Sequence, residues 1–242
     1  MKVPKDWFTT WFNTEYYHLL YNNRDDSEAQ SFMKNLTSYL KLPKNATILD
    51  LPSGKGRHSR YLSSLGYHVT GMDLSENSIE FAKQFENENL HFKVHDMREP
   101  FPERFDAIFN LFTSFGYFED DNHDIQVLKN IKNGLHKNGV AVIDFMNAEK
   151  VKQQLVTHEI QQRGEIKFQI ERAIEDGFII KKISFHAKNK DYVFYEKVKY
   201  LNLSKIESYL EQVGLKLITT FGGYNLEPFN KETSNRLILV VE

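Results

Sequence analysis

The chain has 242 residues and a formal net charge of −2, from 31 basic and 33 acidic side chains. At about 100–200 residues per domain this length fits one large domain, or one domain with an appendage, and it is enough to bury a sizeable core. The near-neutral balance excludes a global positive field for nucleic acid or an anionic membrane, and the absence of cysteine excludes disulfides, thiolate metal sites and a cysteine nucleophile.

Residues 1–45 read as a helical arm. Aromatics and leucines recur at helical spacing from Trp7 to Tyr21, predicting one helix there. Asp25, Asp26 and Ser27 then offer caps for a second helix running to about Leu40, with Ser27 and Gln30 spaced as a capping box. Arg24 reads as a surface ion-pair partner of Asp25 or Asp26. No secretory leader and no run of about 18 apolar residues is visible, so the expected location is the cytoplasm, with no membrane partner.

From Ala46 the pattern changes. Apolar runs at Thr47 to Leu51, His68 to Met72, Leu90 to His95, Asp106 to Leu111 and Val140 to Phe145 alternate with helical segments at Arg57 to Leu65, Glu76 to Phe85 and Asn122 to Leu135. Near-continuous apolar strands between amphipathic helices predict a doubly wound, mostly parallel α/β sheet covered on both faces. Gly66 and Gly139 are expected as helix C-caps. Between residues 157 and 202 the period shifts to two, as in Ile166, Phe168 and Ile170, with turn signals at Asp176-Gly177 and Asn189-Lys190-Asp191. That stretch is expected to be an antiparallel insert into a domain spanning 46–242. Ser204 with Glu207 should cap a last helix closed by Gly214, before strands at Leu215 to Phe221 and Arg236 to Val241 bring the main sheet to seven.

The stretch Asp50-Leu51-Pro52-Ser53-Gly54-Lys55-Gly56 follows the first strand and leads into a helix beginning at Arg57. Such a turn lets backbone approach a ligand at the carboxyl edge of the sheet, and Asp73, at the end of the second strand, is placed to meet a ribose diol. A dinucleotide site wants a third glycine where Ser59 stands, and Asp50 would repel a pyrophosphate while attracting an ammonium group. A nucleoside carrying an amino-acid tail fits better, as in S-adenosylmethionine.

Here the chain resembles the class I S-adenosylmethionine-dependent methyltransferases, whose acid-x-G-x-G-x-G motif it carries from Asp50 to Gly56 with Pro52 replacing the first glycine. The resemblance runs from about Ala46 to Asn147 and returns over the last strands. It implies a Rossmann-like fold and the cofactor S-adenosylmethionine, held by Asp50, Pro52, Ser53, Gly54, Gly56 and Arg57, by Asp73 and Leu74, by Asp96 and Met97 at the adenine, and by Asn110 and Leu111 at the fourth strand. It also implies that the N-terminal arm can close over the site, with Tyr17 facing the sulfonium. The loop Phe112-Thr113-Ser114-Phe115-Gly116-Tyr117-Phe118 lacks the Asn/Asp-Pro-Pro-Tyr/Phe sequence associated with methylation of nucleobase, glutamine or adenine amino groups.

The expected activity is methyl transfer to an N, O or S nucleophile of a small molecule, with His58 or Tyr117 as candidate bases should the acceptor need one. The alternatives are an NAD-dependent oxidoreductase, a non-catalytic cofactor-binding subunit, and an RNA or protein methyltransferase. No metal is expected: Asp120, Asp121, His123 and Asp124 fit a helix start. Trp7, Trp11, Tyr16 and Tyr21 read as core aromatics, and Lys181, Lys182 and Lys197 to Lys199 as the wet face of the insert, which could also pair two copies of the chain.

Overall fold

The computed structural model describes residues 1–21 and 26–242, with only the backbone of Asp26. The main strands are β1 (Thr47–Asp50), β2 (His68–Asp73), β3 (Leu90–Val94), β4 (Phe105–Asn110), β5 (Leu135–Met146), β10 (Leu217–Phe221) and β11 (Arg236–Val241). They form one seven-stranded sheet in the order β10-β11-β5-β4-β1-β2-β3. Pairing is parallel from β3 through β5, whereas β11 runs antiparallel to β5 and β10 antiparallel to β11.

Neighbouring residues on a strand point to opposite faces, so each apolar run feeds two cores. On one side Ile48, Phe109 and Ile238 pack with Phe32, Met33 and Leu36 of α3 (Asp26–Leu40), Leu62 of α4 (Arg57–Ser64) and Ile79 of α5 (Glu76–Lys83). On the other, Leu49, Ile108, Ile143 and Leu239 pack with Val127, Leu128 and Ile131 of α6 (Asp121–Asn133) and Ile206 and Leu210 of α8 (Leu203–Val213). The chain winds from β1 outward to β3 and then returns to β4 on the other side of β1. The loops after β1 and β4 therefore diverge and leave a crevice at the carboxyl edge.

The insert is a separate antiparallel sheet of β6 (His158–Arg163), β7 (Ile166–Glu175), β8 (Phe178–Ala187) and β9 (Lys190–Lys199). Two-residue turns with positive φ join its long strands, at Asp176-Gly177 as expected and at Lys188-Asn189, slightly earlier than the sequence suggested. The arm lies on this sheet. Trp7 and Trp11 of α1 (Trp7–Trp11) and Tyr16 and Leu20 of α2 (Glu15–Leu20) make a third core with Phe168, Ile170, Ile183 and Phe185.

Several local expectations are corrected. The single helix from Trp7 to Tyr21 is broken, because the Thr14 side chain turns back to accept the Tyr17 amide and starts a new helix. The expected caps Asp25 and the Asp26 side chain, and the Arg24 ion pair, lie outside the described residues, while Ser27 falls inside α3. The C-cap of α6 is Gly134 rather than Gly139. The residues between them bulge out of β5, since Phe105 pairs with Leu135 but Ala107 with Val140. Asn202, not Ser204, caps α8 by accepting the Lys205 amide, while Gly214 closes it at φ 69° as expected. A short helix, α7 (Ala148–Gln153), was not foreseen.

The expectation of a wet basic face fails for three of the four lysines. Lys199 is buried between Asp121 and Asp124 at 2.6 Å from each, Lys181 lies against Glu196 and Tyr21, and Lys197 is largely covered beside Glu119. Each amine reached a carboxylate that the sequence does not place near it. The acids opening α6 thus do more than favour a helix start.

Candidate active site

β1 delivers Asp50 to the crevice with its carboxyl buried. Ser59 on the first turn of α4 donates to it at 2.6 Å. Burial pushes the carboxyl up to about 7; the Ser59 bond opposes this and the nearby Asp73 charge adds to it. Ser59, which marks the departure from a dinucleotide motif, is thus the partner that steadies Asp50. Among the described residues no basic side chain forms an ion pair with Asp50.

The turn after β1 includes the cis Leu51–Pro52 bond and is laced to β2. Ser53 donates its amide to the Met72 carbonyl at 2.8 Å, and the Gly54 amide reaches Asp73 Oδ2 at 2.7 Å. Gly54 and Gly56 take positive φ, and a Cβ on Gly56 would stand 2.4 Å from the Phe92 ring. Asp73 also accepts the Ser75 amide at 2.8 Å, and burial raises its pKa against these two bonds. Ser75 itself caps α5, so Asp73 is not the helix cap. Leu74 beside it is exposed.

The His95 amide donates to the Asp73 carbonyl, which carries the next segment back to the same edge. There Asp96 is gripped by Arg98, with Nε at 3.0 Å from Oδ1 and Nη2 at 2.5 Å from Oδ2. Burial raises the Asp96 carboxyl, but the Arg98 hydrogen bonds outweigh it and leave the pKa lowered. The Met97 carbonyl accepts from Asn130 of α6 at 3.0 Å.

β4 ends at Asn110, beside the first turn, because the Leu51 amide donates to the Phe109 carbonyl. Asn110 is fully buried, and among the described residues both atoms of its amide lack a partner, as does the buried Ser53 Oγ. Buried polar atoms are costly when unpaired, so the crevice is built for something that pairs them. Leu111 is buried behind this point.

Of the two candidate bases, Tyr117 donates its hydroxyl to the Thr113 carbonyl at 2.6 Å, and His58 Nε2 lies 2.8 Å from Arg57 Nη2. The His58 ring is stacked on Phe112 at 4.5 Å. Tyr17 sits in a cluster with Trp11, Phe12 and Tyr21. The arm reaches the crevice rim, since Ser75 Oγ donates to Asn13 Oδ1 in the turn before α2, and the pKa of the His18 imidazole on that helix is lowered by burial and then by the nearby Lys55 charge.

Residues 48–139 match the family model described as "Methyltransferase domain". By that match these residues form a methyltransferase domain, similar to those of S-adenosylmethionine-dependent methyltransferases. The match covers the turn, Asp73, Asp96 and Asn110. Over 114 residues the chain is 34% identical to YqeM of Bacillus subtilis, a protein named as a methyltransferase, covering 46% of this chain and 46% of that one. The match thus spans less than half of that relative's length. In structure it is similar to an S-adenosylmethionine-dependent methyltransferase from Clostridium acetobutylicum, at TM-score 0.80 and 21% identity over 94% of this chain and 95% of the other. It is also similar to the sugar N-methyltransferase KedS8 from Streptoalloteichus, at TM-score 0.71 and 15% identity over 93% and 92%.

Beyond the motif, two charged residues beside the loop after β4 were passed over by sequence reading. Asp144 interrupts the apolar run Val140 to Phe145 on β5 and binds the amide of Phe112 at 2.7 Å. Arg236 opens β11 and pairs with Asp144 at 2.8 Å. An acid inside an otherwise apolar buried strand was the available signal. Among the described residues no three histidine or acidic side chains are grouped to hold a metal ion, and no helix is long and apolar enough to cross a membrane.

Proposed function

We propose that this chain transfers the methyl group of S-adenosylmethionine to a nitrogen of a small molecule. Asp50 carries the reading. A carboxyl buried at a strand end and held near pKa 7, with no ion-paired cation among the described residues, would be ionised and satisfied by an entering ammonium group. A pyrophosphate would meet repulsion there, which disfavours the oxidoreductase alternative.

The surrounding groups suit the rest of that molecule. Asp73, already accepting the Gly54 and Ser75 amides, keeps lone pairs for a ribose diol beside Leu74. Asp96 and the Met97 backbone would take the adenine edge. The unpaired Ser53 hydroxyl and Asn110 amide would find partners beside Pro52, Gly54, Gly56, Arg57 and Leu111. Tyr17 and the arm would close the outer side. When bound, S-adenosylmethionine supplies a methyl group already activated on a sulfonium.

The protein's share is then alignment and exclusion of water, worth up to about 7–11 kcal/mol in well-oriented reactions. An amine that arrives neutral needs no strong base. That agrees with a Tyr117 hydroxyl spent on a backbone carbonyl and a His58 Nε2 facing an arginine. The name of the sugar N-methyltransferase neighbour supports nitrogen as the acceptor atom. The test is calorimetry with S-adenosylhomocysteine, followed by transfer of a labelled methyl group to a panel containing glycine, other primary and secondary amines, and aminodeoxy sugars. Binding with label incorporated into an amine is expected; no binding would end the proposal, and label found only in hydroxyl or thiol compounds would move the acceptor off nitrogen.

A further inference from the structure

The loop after β4 begins with two consecutive non-glycine residues in left-handed backbone, Phe112 at φ 60° and Thr113 at φ 63°. Side chains with a Cβ rarely adopt this conformation, and β-branched ones least of all, so something outside the loop must hold both. That something is the pair Asp144 and Arg236. Asp144 accepts the Phe112 amide on Oδ2 at 2.7 Å and the Thr113 amide on its backbone carbonyl at 2.9 Å. Arg236 holds Asp144 Oδ1 through Nε at 2.8 Å and reaches Thr113 Oγ1 through Nη2 at 2.8 Å.

The consequence appears on the far side of the loop. The Phe112 ring is turned toward α4, where it stacks on His58 at 4.5 Å and 26°, with Tyr224 at 5.6 Å closing the box. Asn110, whose buried amide lacks a partner among the described residues, lies immediately before this strained pair. A relaxed loop would move the Phe112 ring and the floor of the crevice together.

We propose that Asp144 and Arg236 are positioning residues for methyl transfer, fixing the acceptor-side loop against the cofactor turn without touching the reacting atoms. This rests on the function proposed above. The test compares Asp144→Asn, Arg236→Gln and the milder Thr113→Val with the unaltered full chain. Three quantities are measured: affinity for S-adenosylhomocysteine, amide hydrogen exchange at residues 112 and 113, and the His58 imidazole proton shifts. Turnover is followed as S-adenosylhomocysteine release with the best amine of the panel.

In the first two variants the two amides should exchange at least tenfold faster, the His58 signals should lose the upfield displacement of a stacked ring, and kcat should fall at least tenfold. Product affinity should stay within threefold. Thr113→Val, which removes one acceptor and keeps the ion pair, should lower kcat about threefold. Unchanged exchange and His58 shifts would overturn the proposal, as would a loss of turnover traced wholly to lost product affinity. Should the unaltered chain bind S-adenosylhomocysteine yet methylate no amine, the proposed function fails by itself; the exchange and His58 data then still show whether the pair holds the loop, but its role in transfer falls with that reading.

Discussion

Lys199 of β9 places its ammonium 2.6 Å from Asp124 of α6, with both side chains buried, while its own amide donates to the Gly116 carbonyl. One residue of the insert thereby fastens α6 and the end of the loop that follows β4. Burial pushes the Asp124 carboxyl up to about 6 even though Lys199 opposes the shift.

Removing the amine alone leaves a buried acid without its counter-charge. Lys199→Met should destabilise the fold by about 3 kcal/mol at pH 8. The loss should shrink at pH 5, where Asp124 takes up a proton and no longer needs a partner. Urea titrations at the two pH values measure it, and an equal loss at both would show that charge burial is not the cause.

Asp50 makes the site sensitive to pH. Its folded pKa is raised from 3.8 to about 7, so its contribution to stability is fully present below about pH 4 and is lost as pH rises through 7. An ammonium ligand favours the ionised form. Affinity for S-adenosylhomocysteine should therefore rise more than tenfold from pH 5.5 to 7, with proton release on binding. In Asp50→Asn binding should be weak and nearly flat over this range, and the fold should be more stable than the parent at pH 8. Calorimetry in two buffers of different ionisation enthalpy counts the protons directly.

For Asp73 the expected change lies in affinity. Two hydrogen bonds from a ribose to an ionised carboxylate, at about 1.5 kcal/mol each, are lost in Asp73→Ala, and cofactor affinity should fall about a hundredfold. Because Asp73 also accepts the Gly54 and Ser75 amides, some stability should go with it. Affinity within threefold of the parent would remove Asp73 from the ribose.

Gly71 tests the packing beneath the turn. A Cβ there would stand 2.6 Å from the Phe92 ring and 2.9 Å from Ser53 Cβ. Gly71→Ala should cost about 1–3 kcal/mol through overpacking and displace Ser53, weakening cofactor binding as well. Thermal melting with and without S-adenosylhomocysteine separates the two effects: a variant that melts earlier but gains the parent's full ligand-induced shift would show that the turn is undisturbed.

Local chemistry alone placed much of this protein. Runs such as Ile48 to Asp50 and Ile108 to Asn110 are short, apolar and punctuated by glycine or acid, so period and turn residues identify their strands and the order of elements. The turn from Asp50 to Gly56, with Asp73 downstream, also announced an amino-acid-bearing nucleoside before any contact was known. Boundaries were lost where a side chain competed with its neighbours, as Thr14 does in the arm and Asn202 does before α8. Pairings between distant segments depend on how the sheets close in space, and no local pattern encodes them. Only the tertiary structure could decide that Lys199 is buried with Asp124, that Trp11 donates to Glu196, and that Asp144 and Arg236 hold Phe112 and Thr113 in left-handed backbone, because Lys199 and Asp124 lie 75 positions apart, Trp11 and Glu196 185, and Asp144 and Arg236 92.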